Sequence, residues 1–230
     1  MIFLLIIALF TPSSLVAQDT KKQEFHSLID RFEQAFESEV GDHGKKLIIK
    51  RYWDSPKVNA YAYRKPGIYG IKVYGGLYRF ANLQRDGFSL ILCHELGHHL
   101  AGPPIKKNDW SSFEGQADYW STHKCLKKLW RYEEAQINTN SKIESLCQSR
   151  QDTHLCERII QASLHVSTLF GKDLPSLFKK DPTKVKYSYP YHLKSQCRLD
   201  TFISGALCDK NYCESEEGAK PRCWFNPNNN

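Results

Sequence analysis

His94, Glu95 and His98 stand in the run Cys93-His94-Glu95-Leu96-Gly97-His98-His99, an H-E-x-x-H pattern. On a helix, positions i and i+4 share a face, so both imidazoles can reach one ion while the carboxylate lies beside them. Imidazole nitrogen suits Zn²⁺, and Glu95 is placed to take a proton from an attacking water. Glu114 and Asp118 have the same spacing within Glu114-Gly115-Gln116-Ala117-Asp118. Glu114 as third ligand gives a His₂Glu set with a position left open, the arrangement of a catalytic zinc site. Asp118, on the same face, can accept the free ring N–H of a ligand histidine. Two plainer readings compete. The first helix could carry core or surface histidines with no ion, and Ser111 with Glu114 could form a capping box that uses the same carboxylate. Other chemistries fit worse. The H-x-E and P-C-x-x-C signature of a nucleobase deaminase is missing, and Cys93 in an oxidising compartment favours a disulfide over a thiolate nucleophile.

Elements must hold these residues in place. A helix over residues 88–100 carries the first motif, with Asp86 as its N-cap and Gly102-Pro103-Pro104 as its stop. Ser111 or Ser112 caps a second helix that runs to about residue 130. Upstream, Phe25, Leu28, Ile29, Phe32, Phe36 and Val40 recur at spacings of three and four, one apolar helix face ended by Gly41 and Gly44. Residues 47–52, 58–63 and 68–74 read as strands, with a turn at Lys65-Pro66-Gly67. A small antiparallel sheet is the simplest way to join them. Residues 131–154 read as mostly loop, followed by helices from Leu155 to near Gly171 and over 195–207. Cys208 to Asn230 reads as an irregular tail pinned by disulfides. The fold class expected is α+β, a single domain over residues 18–207 with residues 208–230 packed on it.

Composition sets the compartment. The chain has 230 residues and eight Cys, an even number that is high for a cytosolic enzyme. Ile2 to Phe10 is an unbroken apolar run, and Thr11-Pro12-Ser13-Ser14 then reads as a helix-breaking region before a cleavage site after Ala17. A membrane span needs about 20 apolar residues, so residues 1–17 read as a removable export signal and no transmembrane segment remains. The expected location is the periplasm or the outside of the cell. The +7 charge favours anionic partners without naming one, and no nucleic-acid motif accompanies it. One disulfide is expected to brace the two motif-bearing helices or to tie the segment around Cys197 to them.

With these residues in view, the sequence resembles the gluzincin metallopeptidases of the HtpX- and BepA-like group. Asn59-Ala60-Tyr61-Ala62 and Ile71-Lys72-Val73-Tyr74-Gly75-Gly76-Leu77 are similar to that family's N-A-F-A segment and its strand ending in G-L. Glu114 to Asp118 is similar to its E-x-x-A-D motif, and His192-Leu193-Lys194-Ser195-Gln196-Cys197-Arg198 to its late H-P-x-x-x-x-R motif, with Leu193 in place of Pro. The resemblance implies a zincin-like fold and one catalytic zinc on His94, His98 and Glu114. It implies that His192 stabilises the oxyanion, with Tyr187, Tyr189 or Tyr191 as alternative donors, and that Arg198 helps organise the site. It also implies that the strand bearing Ile71, Val73 and Tyr74 borders the cleft and pairs with an extended peptide or protein substrate. Only 15 residues separate His98 from Glu114, so the chain reads as a compact, disulfide-reinforced relative acting as a monomer. The function expected is zinc-dependent peptide hydrolysis. The alternatives are an inactive, zinc-stabilised envelope or wall-binding protein, and an endopeptidase acting on cell-wall crosslinks.

Overall fold

The computed structural model describes residues 12–229 except 108–109, 138, 171–172 and 215–216. Helix α1 (Pro12–Asp42) lays its apolar face, Phe25 through Val40, fully into the core. It runs unbroken through positions 12–17. Pro12 and the positions after it are therefore helical, where a helix break was expected. The apolar run before it lies outside the described residues.

Strands β1 (Lys46–Tyr52), β2 (Ala60–Lys65) and β3 (Ile68–Tyr74) form one sheet in the order β1-β3-β2. The β2–β3 hairpin is antiparallel, with Ala62 opposite Ile71, but β1 runs parallel to β3, with Ile49 opposite Ile71. The sheet is therefore mixed, which corrects the antiparallel expectation. The physical reason is the connection after β1. It folds over the end of β3, where Gly76 N–H donates to Ser55 O at 2.8 Å. A Cβ on Gly75 or Gly76 would fall about 2 Å from the Trp53 or Pro56 carbonyl oxygen, so glycine there is what allows this crossing.

Two short helical segments, α2 (Gly75–Tyr78) and a 3₁₀ turn (Phe80–Asn82), lead into α3 (Arg85–Leu100). Asp86 is not its N-cap. It lies in the first turn and pairs twice with Arg158 at 2.8 Å. Helix α4 (Glu114–Trp120) continues through a π-helical stretch (Ser121–Cys125) into α5 (Leu126–Leu129). Helices α6 (Ser141–Cys147), α7 (Thr153–Leu169) and α8 (Ser195–Leu207) complete the set. Part of the expected 131–154 loop is thus helical, because Asn140 and Asp152 each cap a helix start with a side-chain oxygen.

The main core joins α1, the inner sheet face, α3, α7 and α8. A smaller cluster of Tyr119, Trp224, Phe225 and four cysteines fixes the tail against α4 and α8. Disulfides join Cys93–Cys125, Cys147–Cys156, Cys197–Cys223 and Cys208–Cys213. The first links α3 to the helix that continues from α4, as expected, and the third ties the late motif to the tail. Four disulfides accord with an oxidising compartment. No described helix is long and apolar enough to cross a membrane.

Candidate metal centre

Helices α3 and α4 bring the two motifs face to face. Gly97 makes their approach possible, since a Cβ there would lie 3.0 Å from the Ala117 backbone. His94, His98 and Glu114 are all buried, and each offers a ligand atom within 4.8 Å of the others. His94 Nε2 lies 3.2 Å from Glu114 Oε2, and His98 Nε2 lies 3.6 Å from Glu114 Oε1.

The opposite nitrogens of both rings are already engaged. His94 Nδ1 meets Asp118 Oδ1 at 2.7 Å, as expected for Asp118. His98 Nδ1 meets the Ser112 carbonyl at 3.0 Å. Each contact requires an Nδ1–H donor, which leaves Nε2 as the lone-pair donor. Asp118 is itself held by Arg198, which donates from Nη2 and Nε at 3.0 and 3.2 Å. The organising role expected of Arg198 thus has a contact behind it.

Ser111 and Ser112 do not cap α4. Phe113 holds the N-cap position without a side-chain bond. The Ser112 hydroxyl donates to Gly102 O, and the Ser111 hydroxyl lies 3.2 Å from His98 Nδ1. No capping box forms, and the Glu114 carboxylate is left for the site.

The donor set could hold a metal ion. Glu114 Oε2 is buried between His94 Nε2 at 3.2 Å and His192 Nδ1 at 3.0 Å, with no well-formed hydrogen bond to either, a position that suits a cation. Among the described residues, Lys106 pairs with Glu114 and Arg198 with Asp118, while Glu95 has no ion pair, and a divalent ion would balance the three carboxylates. Without such an ion, burial disfavours the His94 imidazolium, yet Asp118 and Glu114 outweigh burial and raise its pKa to about 10. Burial and the neighbouring His94 push His98 down to about 3. Burial opposes ionisation of Glu114, but His192 and His94 hold its carboxyl far below the usual range. The group is thus built to keep one cation beside Glu114.

Glu95 is 7% exposed, and burial raises its pKa, the direction a general base near neutrality needs. A backbone hydrogen bond from Ala62 ties it to β2. It lines a cleft of about 710 Å³ together with the three candidate ligands, His192 and Arg198. His192 sits at the rim, 80% exposed, with Nδ1 3.0 Å from Glu114 Oε2. The Glu114 N–H reaches toward the Pro190 carbonyl at 3.5 Å and helps place this segment. Tyr187, Tyr189 and Tyr191 are exposed and do not line the cleft.

The strand assignment requires correction. β3 is the central strand, hydrogen-bonded on both sides. Ile71 and Val73 are fully buried, and neither they nor Tyr74 lines the cleft. The strand that borders it is β2, through Ala60, Tyr61 and Ala62. The expectation failed because β1 takes the second edge of β3.

Sequence reasoning also missed Lys106 and Trp110, which lie on the loop between the motifs and line the cleft. Lys106 pairs with Glu114. Trp110 stacks on His99, whose other face meets Tyr69. No spacing rule marks loop residues of this kind. Compared with known proteins, the chain matches no protein-family model, and no curated protein or solved structure is significantly similar to it.

Proposed function

We propose that this chain is an exported, zinc-dependent peptide hydrolase, with zinc held by His94, His98 and Glu114. The observation that carries the reading is the orientation of both histidines. Their Nδ1 atoms are tied down, their Nε2 atoms turn to the buried Glu114 carboxylate, and Glu95 stands beside them in the cleft. A structural ion needs no such base. The resemblance to gluzincin peptidases points the same way.

His94, His98 and Glu114 would hold the ion, which would supply Lewis acidity to a peptide carbonyl and to the attacking water. Glu95 accepts the proton from the attacking water on its carboxylate and passes it to the leaving amine. His192, at the rim, donates an N–H toward the developing oxyanion. Asp118 keeps His94 in its Nδ1–H tautomer, and Arg198 keeps Asp118 ionised. The free edge of β2 holds an extended peptide by main-chain hydrogen bonds, with little demand on its sequence.

Glu95→Gln tests the reading. Zinc content by metal analysis is expected to equal the parent's at one ion per chain, while hydrolysis of a quenched peptide library falls by about 10²-fold or more. Equal cleavage by the variant overturns the mechanism. Stoichiometric zinc with no cleavage by the parent overturns the enzyme and leaves a zinc-stabilised binding protein.

A further inference from the structure

The outward face of the sheet carries a charge pattern that the cleft does not use. Strand alternation sends Lys46, Ile48, Lys50 and Tyr52 of β1 outward, beside Lys72 and Tyr74 of β3. From β2 it sends Tyr61, Tyr63 and Lys65 to the same face. Lys57, in the preceding loop, leans over the Tyr74 ring at 4.8 Å. The face thus presents five lysines and no Asp or Glu. None of the five makes an ion pair among the described residues. The lysines near the α5 end of the molecule differ: Lys127 pairs with Asp209 and Lys128 with Glu39.

The tyrosines define what this face can recognise. Tyr52 and Tyr74 stack on each other at 5.1 Å. Lys72 lies over Tyr61 at 5.0 Å and over Tyr63 at 5.5 Å. These contacts hold the tyrosine rings against one another and beside the ammonium groups. The face therefore offers ammonium groups, phenol edges and exposed aliphatic surface. Ile48 is 38% exposed. Lysine, tyrosine and exposed aliphatic groups on one face are the combination that suits the headgroup layer of a bilayer.

We infer that the outward sheet face docks on an anionic phospholipid surface. The lysines supply attraction to the lipid phosphates and carboxylates, and Tyr52 and Ile48 settle at headgroup level. β2 forms the link to the cleft, since Tyr61 belongs to both surfaces. The docking does not depend on the peptidase reading.

Co-sedimentation of the full chain with vesicles tests it. The vesicles are phosphatidylcholine alone or phosphatidylcholine with phosphatidylserine. Binding is expected only with phosphatidylserine, and it should fall as salt rises. Each lysine at an anionic surface contributes about fivefold to partitioning, so Lys50→Gln with Lys72→Gln should weaken binding roughly thirtyfold. Lys50→Glu with Lys72→Glu should abolish it. Lys179→Glu with Lys180→Glu makes the same change in net charge at two exposed sites off the sheet and should have a much smaller effect. Equal losses in the two charge-reversed pairs, no binding to phosphatidylserine vesicles, or binding to a soluble acidic polysaccharide but not to vesicles, overturns the inference. Circular dichroism of each variant confirms that a loss of binding is not a loss of fold.

Discussion

Replacing Asp118 with Asn separates the two tasks that one buried carboxylate performs. Asp118 is 1% exposed and serves both His94 Nδ1 and the Arg198 guanidinium. Asn keeps the shape and one acceptor oxygen but loses the charge. Loss of a carboxylate behind a ligand histidine typically lowers metal affinity about 10- to 100-fold, or about 1.4–2.7 kcal/mol. Arg198 then lacks its counter-charge in the interior, and breaking one side of a buried pair costs about 3–5 kcal/mol. The remaining Asn acceptor puts the expected loss near the lower end, about 3 kcal/mol. Zinc affinity is measured by competition with a chromophoric chelator, and stability by denaturant unfolding of the metal-free chain. Asp118→Asn with Arg198→Gln removes the orphaned charge, so it should recover part of the stability while zinc affinity stays low. A folded Asp118→Asn variant that binds zinc within about twofold of the parent would refute the argument that Asp118 prepares His94 as a ligand.

The Cys93–Cys125 bridge closes a loop over a sequence separation of 32. Chain entropy gives it about 4 kcal/mol. Cys93→Ala with Cys125→Ala should lose most of this in guanidinium unfolding, and an unchanged midpoint would contradict it. Burial lowers His123 from 6.5 to about 4, and its ring lies 2.7 Å from the Lys210 carbonyl. The unfolded chain therefore binds a proton between these values that the folded chain refuses. Stability from this group is full above about pH 6.5 and falls by about 3 kcal/mol as pH drops to about 4. His123→Gln can still donate to Lys210 O but does not titrate. Its unfolding free energy should show that much less pH dependence, and parallel curves for parent and variant would exclude the assignment.

Much of the site was legible because helical periodicity is local. The spacings of His94 to His98 and of Glu114 to Asp118 fix which side chains share a face whatever packs against them. The α1 core stripe and the extent of α8 were legible for the same reason, and the β3 boundaries because β-branched and aromatic residues run between two glycine turns. The roles of Ser111, Ser112 and Asp86 were not. A cap is only one use of a polar side chain, and here His98, Gly102 and Arg158 offered better partners.

The sequence by itself thus determined the donor types, their spacing on two helices and the base beside them. It also determined the even set of cysteines and the surplus of lysine. Tertiary structure decided the rest. It placed β1 along β3, which moved the cleft border to β2 and left an acid-free outer sheet face. It also turned both histidines by giving their Nδ1 atoms distant partners, Asp118 and Ser112 O. Strand order and ring orientation depend on groups far apart along the chain, and only packing brings those groups together.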